Sequence, residues 1–330
     1  MNSIAFVTRA FAAAVVATIV ASAPVLAQQP LVLRIGHNTP VGTPTDVATK
    51  HFAKLVAERS GGKIQIKDYP AGQIGNEQQM IEGLQTGTLD MGGIIGATFG
   101  NVVTEYSVLG LLYVFRDADH MRKAMNGPAG NEMAAALQKK SGIHVINNSW
   151  YYGMRQLTSN KPVKTPADMV GMKIRVVPVP IFQASWRAVG ATPTPVDFKE
   201  LFTALQTGAV DAQENPLATT KGGGIHLVNK NLSLTDHTVA NVVIAMSDDT
   251  WKRLTPDQRE LITKAIRDTA PINDAAVVKS EQEIQAEFKA AGVNVVIPDK
   301  AAFREKVKDV PATFQNGVLL DLYKKIQAVN

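Results

Sequence analysis

In Lys173-Ile174-Arg175-Val176 the residues alternate, so Ile174 and Val176 fall on one face of a strand and Lys173 and Arg175 on the other. A guanidinium held beside a sheet requires a partner, and the two oxygens of a planar carboxylate match its fork of N–H donors. Arg155, in the strand-like Gly153-Met154-Arg155-Gln156-Leu157-Thr158, is a second guanidinium of the same kind. Each arginine can serve a bound acid, or it can pair with a resident acid such as Asp197 or Glu214. The residues alone leave both readings open.

Other chemistries find little support. The six histidines are His37, His51, His120, His144, His226 and His237. No two stand four apart as in a helical metal site, and no tight carboxylate cluster in the sequence supplements them. The absence of cysteine excludes disulfides, thiol catalysis, cysteine-ligated metal and a lipid-modified N-terminal cysteine. No G-x-S-x-G elbow or Walker loop is present. Asp90-Met91-Gly92-Gly93-Ile94-Ile95-Gly96 has the wrong glycine spacing for a dinucleotide loop and reads as a strand end with close backbone packing. Lys221-Gly222-Gly223-Gly224 reads as a helix-terminal turn rather than an anion nest. The expectation is therefore a protein that is not an enzyme, with no catalytic residue, no cofactor and no metal.

The elements that carry these residues alternate between strand-like and helical runs, which predicts an α/β fold with mainly parallel pairing. Leu31–Asn38 reads as a buried strand. Thr43 to Ser60 reads as a helix with Val47, His51, Leu55 and Ala48, Phe52, Val56 on adjacent faces. Lys63–Tyr69 reads as a strand, Asn76 as the cap of a helix running to Gly87, and Leu89–Ile95 as the next strand. The pattern then recurs. Gly61-Gly62-Lys63-Ile64-Gln65-Ile66 is echoed by Gly171-Met172-Lys173-Ile174-Arg175-Val176, which sets Gln65 opposite Arg175. Leu84-Gln85-Thr86-Gly87-Thr88-Leu89-Asp90 is echoed by Leu205-Gln206-Thr207-Gly208-Ala209-Val210-Asp211. Two echoes in the same order predict two similarly built lobes, and a cleft between α/β lobes is where ligands bind. The C-terminal third reads as helical: an amphipathic stretch runs from Thr255-Pro256 to about Gly292, with a kink or a break expected at Pro271.

The first 27 residues read differently from the rest. A polar start with Arg9, an apolar run from Phe11 to Val20 and the ending Val25-Leu26-Ala27 predict a secretory leader cleaved after Ala27. Its removal lowers the formal charge from +5 to +4, since Arg9 is its one charged side chain. That excess is spread along the chain without a basic run, so nucleic acid is not an expected partner.

Several ordered motifs carry a resemblance. They are Tyr152-Gly153-Met154-Arg155-Gln156-Leu157-Thr158-Ser159-Asn160-Lys161-Pro162, Pro166 through Val176, Pro195, Phe198, Ala204 through Gly208, and Asp211-Ala212-Gln213-Glu214-Asn215-Pro216. Gly61-Gly62-Lys63, Tyr69-Pro70, Gln73-Ile74-Gly75-Asn76-Glu77 and Phe115-Arg116-Asp117 extend it over nearly the whole mature chain. The sequence resembles the extracytoplasmic solute-binding proteins of TRAP transporters, the DctP type. The resemblance implies a two-lobed periplasmic-binding-protein fold, each lobe a mixed sheet flanked by helices, with a long helix spanning both. Lobe one would comprise 28–152 and 241–280, and lobe two 153–240 and 281–330. Arg175 matches the arginine that pairs with the ligand carboxylate, Arg155 a second arginine near it, Asn215 a steadying polar residue and Phe198 an aromatic at the pocket wall. His37, Asn38, Gln73 and Glu77 lie where lobe one supplies variable contacts. Met154 and Gln156 depart from the residues that relatives often carry beside Arg155, and Pro271 departs from the uninterrupted long helix.

The resemblance further implies a periplasmic monomer that captures a small organic acid, a sugar acid such as a uronate in the first instance. It would deliver that acid to the membrane subunits of an ion-gradient-driven permease. A C4-dicarboxylate or another hydroxy or keto acid is the alternative ligand. A secreted enzyme acting on an acid in the same cleft, or an amino-acid-binding protein of an ATP-driven importer, are the alternatives in class.

Overall fold

The structure, a computed structural model, describes residues 29–330; the expected leader and its cleavage after Ala27 lie outside the described residues. Among the described residues nine strands form one sheet: β1 (Leu31–His37), β2 (Ile64–Tyr69), β3 (Met91–Ile95), β4 (His144–Ser159), β5 (Lys173–Val176), β6 (Thr192–Pro195), β7 (Ala212–Pro216), β8 (Asn231–Met246) and β9 (Asn294–Val296). Their order is β2-β1-β3-β8-β4-β7-β5-β6, with β9 added alongside β8. Helices flank the sheet, and among the described residues none is long and apolar enough to cross a membrane.

Local sequence explains the first unit. Leu33 and Ile35 of β1 are buried while the alternating Val32 and Arg34 are exposed. Pro44 opens the helix Pro44–Arg59 where no intrahelical N–H bond is needed. Of the two helical faces read from the sequence, Ala48, Phe52 and Val56 are buried, whereas Val47 is 55% exposed and His51 and Leu55 are half-buried. The buried stripe packs on Ile262, Ala265 and Ile266 of the long helix Pro256–Ala290. Truncating Phe52 there would cost about 3–5 kcal/mol, the usual loss for a buried phenylalanine. Asn76 caps the helix Glu77–Gln85 with a reciprocal capping box: its side chain accepts from Gln79 N, and Gln79 accepts from Asn76 N.

The two halves of the sheet share one plan. An edge strand, a central strand and a third strand run parallel, as β2-β1-β3 in one half and β6-β5-β7 in the other. The third strand then pairs antiparallel with a long strand, β3 with β8 and β7 with β4. The helix-to-strand echo occupies equivalent places: Gly87 and Gly208, at φ of 72° and 71°, close the helices that precede β3 and β7. The other echo does not. Gly61-Gly62-Lys63 leads into edge strand β2, but Gly171-Met172-Lys173 leads into central strand β5. In the ladders Gly36 stands beside Gly92 and Arg175 beside Gln213. Since Asp90 and Asp211 correspond, the counterpart of Arg175 is Gly36 and not Gln65.

The 16-residue strands β4 and β8 run through both halves. Their pairing shifts register between Tyr151 and Gly153, where the halves meet. Gly153 has φ 130°, and a Cβ there would lie 2.8 Å from Pro216 Cβ. The long helix covers this crossing as one continuous element, with Pro271 inside it rather than at a break. Residues just beyond the proline bond the strand edge: Asn273 Nδ2 donates to Tyr151 O at 2.8 Å, and Tyr151 N donates to Asp274 Oδ1 at 3.0 Å. Glu281 Oε1 accepts from Met154 N at 2.6 Å. The helix thus supplies partners to backbone groups of β4 ahead of the point, Arg155, where β7 begins to pair with it.

Candidate functional site

Where the two half-sheets face each other, a cavity is lined by Asn38, Glu77, Thr98, Tyr152, Arg175, Asp197, Phe198, Asn215 and Thr219, among others. Contacts from opposite sides close it. Asn76 Nδ2 donates to Asp197 Oδ2 at 2.8 Å, and Asn101 Nδ2 donates to Pro178 O at 3.1 Å.

Arg175 is 2% exposed. Its Nε donates to Val196 O at 2.7 Å, and among the described residues its terminal nitrogens make no hydrogen bond. Burial is the main influence on its acidity. Together with the nearby charge of Arg155 it outweighs the more distant carboxylates of Glu214, Glu77 and Asp197, and brings the guanidinium down to about 10. Arg175 is therefore a charged, desolvated fork with its donors turned to a cavity.

Arg155 is equally buried and differently employed. Its Nε and Nη2 bond the Glu214 carboxylate, the latter at 2.9 Å, and Nη2 also reaches Glu214 O at 2.7 Å and Asn215 Oδ1 at 3.1 Å. His237 Nε2 meets the same carboxylate at 3.1 Å, and its ring is held through Nδ1 by Thr235. Burial alone would raise Glu214, but the Arg155 charge and the bonds from His237 and Arg155 bring it down to about 2. For Arg155, burial pushes down, and the Glu214 carboxylate overcomes this to leave the guanidinium above its ordinary value. Arg155 is thus paired with a resident acid and does not line the cavity, although its Nη1 is without a partner among the described residues.

The remaining sequence-derived residues divide. Asn215 lines the cavity and donates to Gln213 Oε1 at 2.6 Å while accepting from Arg155. Phe198 opens the helix Phe198–Gln206 and forms part of the wall. Glu77, the first residue of its helix, accepts from Ile95 N at 3.0 Å and from the Thr98 hydroxyl. Burial nevertheless raises its carboxyl above the ordinary value, against those bonds and the two arginine charges. Asn38 lines the cavity with a buried Oδ1 that has no hydrogen-bond partner among the described residues. His37 does not line it: the ring is 2% exposed and turned toward Asp46 and Asp68. Gln73 is exposed and stands outside the lining.

Several lining residues carry no separate chemical signal in the sequence, Tyr152 standing there only at the head of a family motif. Tyr152 accepts at its hydroxyl from Thr219 Oγ1 at 2.8 Å, and burial pushes the phenol up to about 12. Thr98, Asn101 and Gln78 add polar groups from the first half. Single polar residues on a strand, a helix and a 3-10 segment set up no periodicity of their own, so only proximity reveals them. A broader depression lies elsewhere, between the long helix and the start of β4, lined by Arg122, Asn147, Arg267, Pro271 and Asp274 among others. Its Arg122 is already bonded to Asp119 and Asp274, and its Arg267 is exposed, so neither is a desolvated fork awaiting a partner as Arg175 is.

Residues 35–316 match the family model DctP, described as bacterial extracellular solute-binding protein, family 7. The chain belongs to that family. This solute-binding protein is 32% identical over 300 residues to the sialic acid-binding periplasmic protein of Vibrio cholerae, covering 90% of this chain and 92% of that one. It superposes on a TRAP periplasmic solute-binding protein from Pseudomonas putida F1 with bound D-glucuronate. The TM-score is 0.85 and the identity 32%, over 91% of this chain and 98% of that one. It likewise superposes on one from a Bradyrhizobium species in complex with galacturonate. Here the TM-score is 0.84 and the identity 35%, over 89% and 99% of the two chains. The protein is accordingly a TRAP transport component rather than an enzyme, of a class that binds small organic acids outside the cytoplasm and works with a membrane permease.

Proposed function

We propose that this protein captures a sugar acid, a uronate in the first instance, through an ion pair between its carboxylate and Arg175. The observation that carries the proposal is the buried guanidinium on the cavity wall, held at Nε and without a carboxylate partner among the described residues. Completing its fork with a planar carboxylate removes the penalty of a desolvated, unpaired cation. Asn215 steadies the carboxylate, Phe198 and Tyr152 flank the body of the ligand, and Glu77, Asn38 and Thr98 hydrogen-bond its hydroxyls. Arg155 supports the site from behind by fixing Glu214 and Asn215.

The distribution of charge favours a hydroxylated monocarboxylate over a C4-dicarboxylate. Arg155 is taken up by Glu214, which leaves Arg175 as the guanidinium on the cavity wall, and the opposite wall carries the Glu77 carboxyl. A second ligand carboxylate would meet that group without a cation to match it. The bound uronates of the Pseudomonas and Bradyrhizobium proteins support the same class.

In this reading lobe one comprises 28–152 and 241–280, lobe two 153–240 and 281–330, and the chain acts as a periplasmic monomer after cleavage behind Ala27. The acid meets Arg175 on lobe two, lobe one closes over it, and docking on the permease favours reopening. Calorimetric titration with D-glucuronate, D-galacturonate and succinate tests it. At least one uronate should bind more than about 10-fold tighter than succinate, a difference of roughly 1.4 kcal/mol. Equal or tighter binding of succinate would overturn the sugar-acid assignment.

A further inference from the structure

Three side chains outside the cavity converge where β1, β2 and the first turn of helix Pro44–Arg59 meet. His37 Nε2 lies 3.0 Å from Asp68 Oδ1 and 3.9 Å from Asp46 Oδ1, and one ligand atom from each residue lies within 4.8 Å of the others. His37 is 2% exposed and Asp46 fully buried, while Asp68 keeps slight exposure. Among the described residues the facing atoms are without hydrogen-bond partners: His37 Nε2, Asp46 Oδ1 and both oxygens of Asp68. Buried polar atoms are seldom left so, and four at one point mark a position to be filled.

The supporting groups point the same way. Asp46 Oδ2 is engaged by Gly42 N at 2.8 Å and Lys50 Nζ at 2.7 Å, which turns Oδ1 toward the imidazole. His37 Nδ1 is bonded to the Thr39 hydroxyl, which fixes the ring and leaves Nε2 facing the carboxylates, as metal-ligating histidines are commonly held. Two carboxylates and an imidazole against one ammonium leave a site that a divalent cation complements. One nitrogen and two carboxylate donors suit a borderline ion such as Zn²⁺, with water completing the shell.

We propose that His37, Asp46 and Asp68 form a divalent-cation site that ties the ends of β1 and β2 to the helix beside the cavity. The ion does not touch the transported acid. It holds the segment beginning at Asn38, which lines the cavity, and Pro40, which packs at Gly222 across the cleft.

The mature full-length protein, stripped with chelator, is titrated with Zn²⁺ by calorimetry and with Co²⁺ by visible absorption. One Zn²⁺ per chain is expected, with a Co²⁺ d–d band displaced by Zn²⁺. At a hundred-fold excess over Kd the thermal midpoint should rise by about 4 °C. His37→Ala and Asp68→Asn should each weaken Zn²⁺ by at least about 100-fold, the upper range for losing even a supporting group. The wild-type cobalt spectrum stands even where a variant fails to fold. Stoichiometric Zn²⁺ binding undiminished in folded variants would place the metal elsewhere and overturn the proposal. Absence of binding, with a protonated His37 ring by nitrogen NMR, would overturn it in favour of a His–Asp ion pair.

Discussion

The two halves of the sheet are built alike, yet at one equivalent ladder position one carries a cation and the other a glycine. Central strand β5 puts Arg175 beside Gln213, whereas central strand β1 puts Gly36 beside Gly92. A Cβ on Gly36 would come within 2.9 Å of Ile74 and Met80 side-chain atoms, so that position is filled by apolar packing from its own half. One half thus supplies a cation, and the other supplies Glu77, Asn38 and Thr98 to face it. A shared backbone plan fixes where strand ends meet; the side chain at one ladder position decides which half grips an anion.

Within the second half Arg175 and Arg155 sharpen the contrast, since both are buried and only one is paired. Arg175→Ala should lower acid affinity by at least about 100-fold, in line with the 2–5 kcal/mol or more lost on truncating one partner of a buried charge pair. It should leave the ligand-free midpoint unchanged or higher, because an uncompensated cation is removed. Calorimetry and thermal melts check both parts, and a large stability loss would show Arg175 to be structural instead.

Arg155→Met should do the reverse. It leaves Glu214 buried without its cation and should destabilise the fold by about 3–5 kcal/mol in urea unfolding. An unperturbed unfolding midpoint would remove the distinction between the arginines. The same pair predicts a pH dependence. Glu214 titrates at about 2 in the folded chain against 4.5 ordinarily, so its stabilisation is complete above pH 4.5 and is lost as pH falls toward 2. The acid limb of a pH–stability curve should therefore be shallower in Glu214→Gln than in the wild type.

Smaller effects test the opposing half. Gly36→Ala requires Ile74 and Met80 to shift and should cost about 1–3 kcal/mol, the usual range for overpacking. Asp197→Ala removes the bond from Asn76 across the cleft. The closed state should weaken by about 1 kcal/mol, lowering affinity roughly 5-fold, with a more extended average shape in solution scattering.

The sequence is legible where chemistry is local. The alternation around Arg175, the Asn76 cap and the Gly87 and Gly208 helix ends depend on neighbours a few residues away, and each lies as read. The lysine-led echo misleads because a glycine break before a strand does not encode whether that strand pairs on one side or two. Pro271 reads as an interruption, but bonds from Asn273, Asp274 and Glu281 to β4, some 120 residues away in the chain, hold the helix continuous there.

By itself the sequence determined the fold class, the family and the two arginines capable of meeting a carboxylate, because periodicity and ordered motifs are properties of the chain. Only the tertiary structure decided that Glu214 holds Arg155 while Arg175 stays free, that His37 turns away from the cavity, and that Asp46 and Asp68 meet it. Those outcomes rest on distances between elements remote in the chain, and burial makes them matter, since a desolvated charge is governed by whichever group is near enough to pair with it.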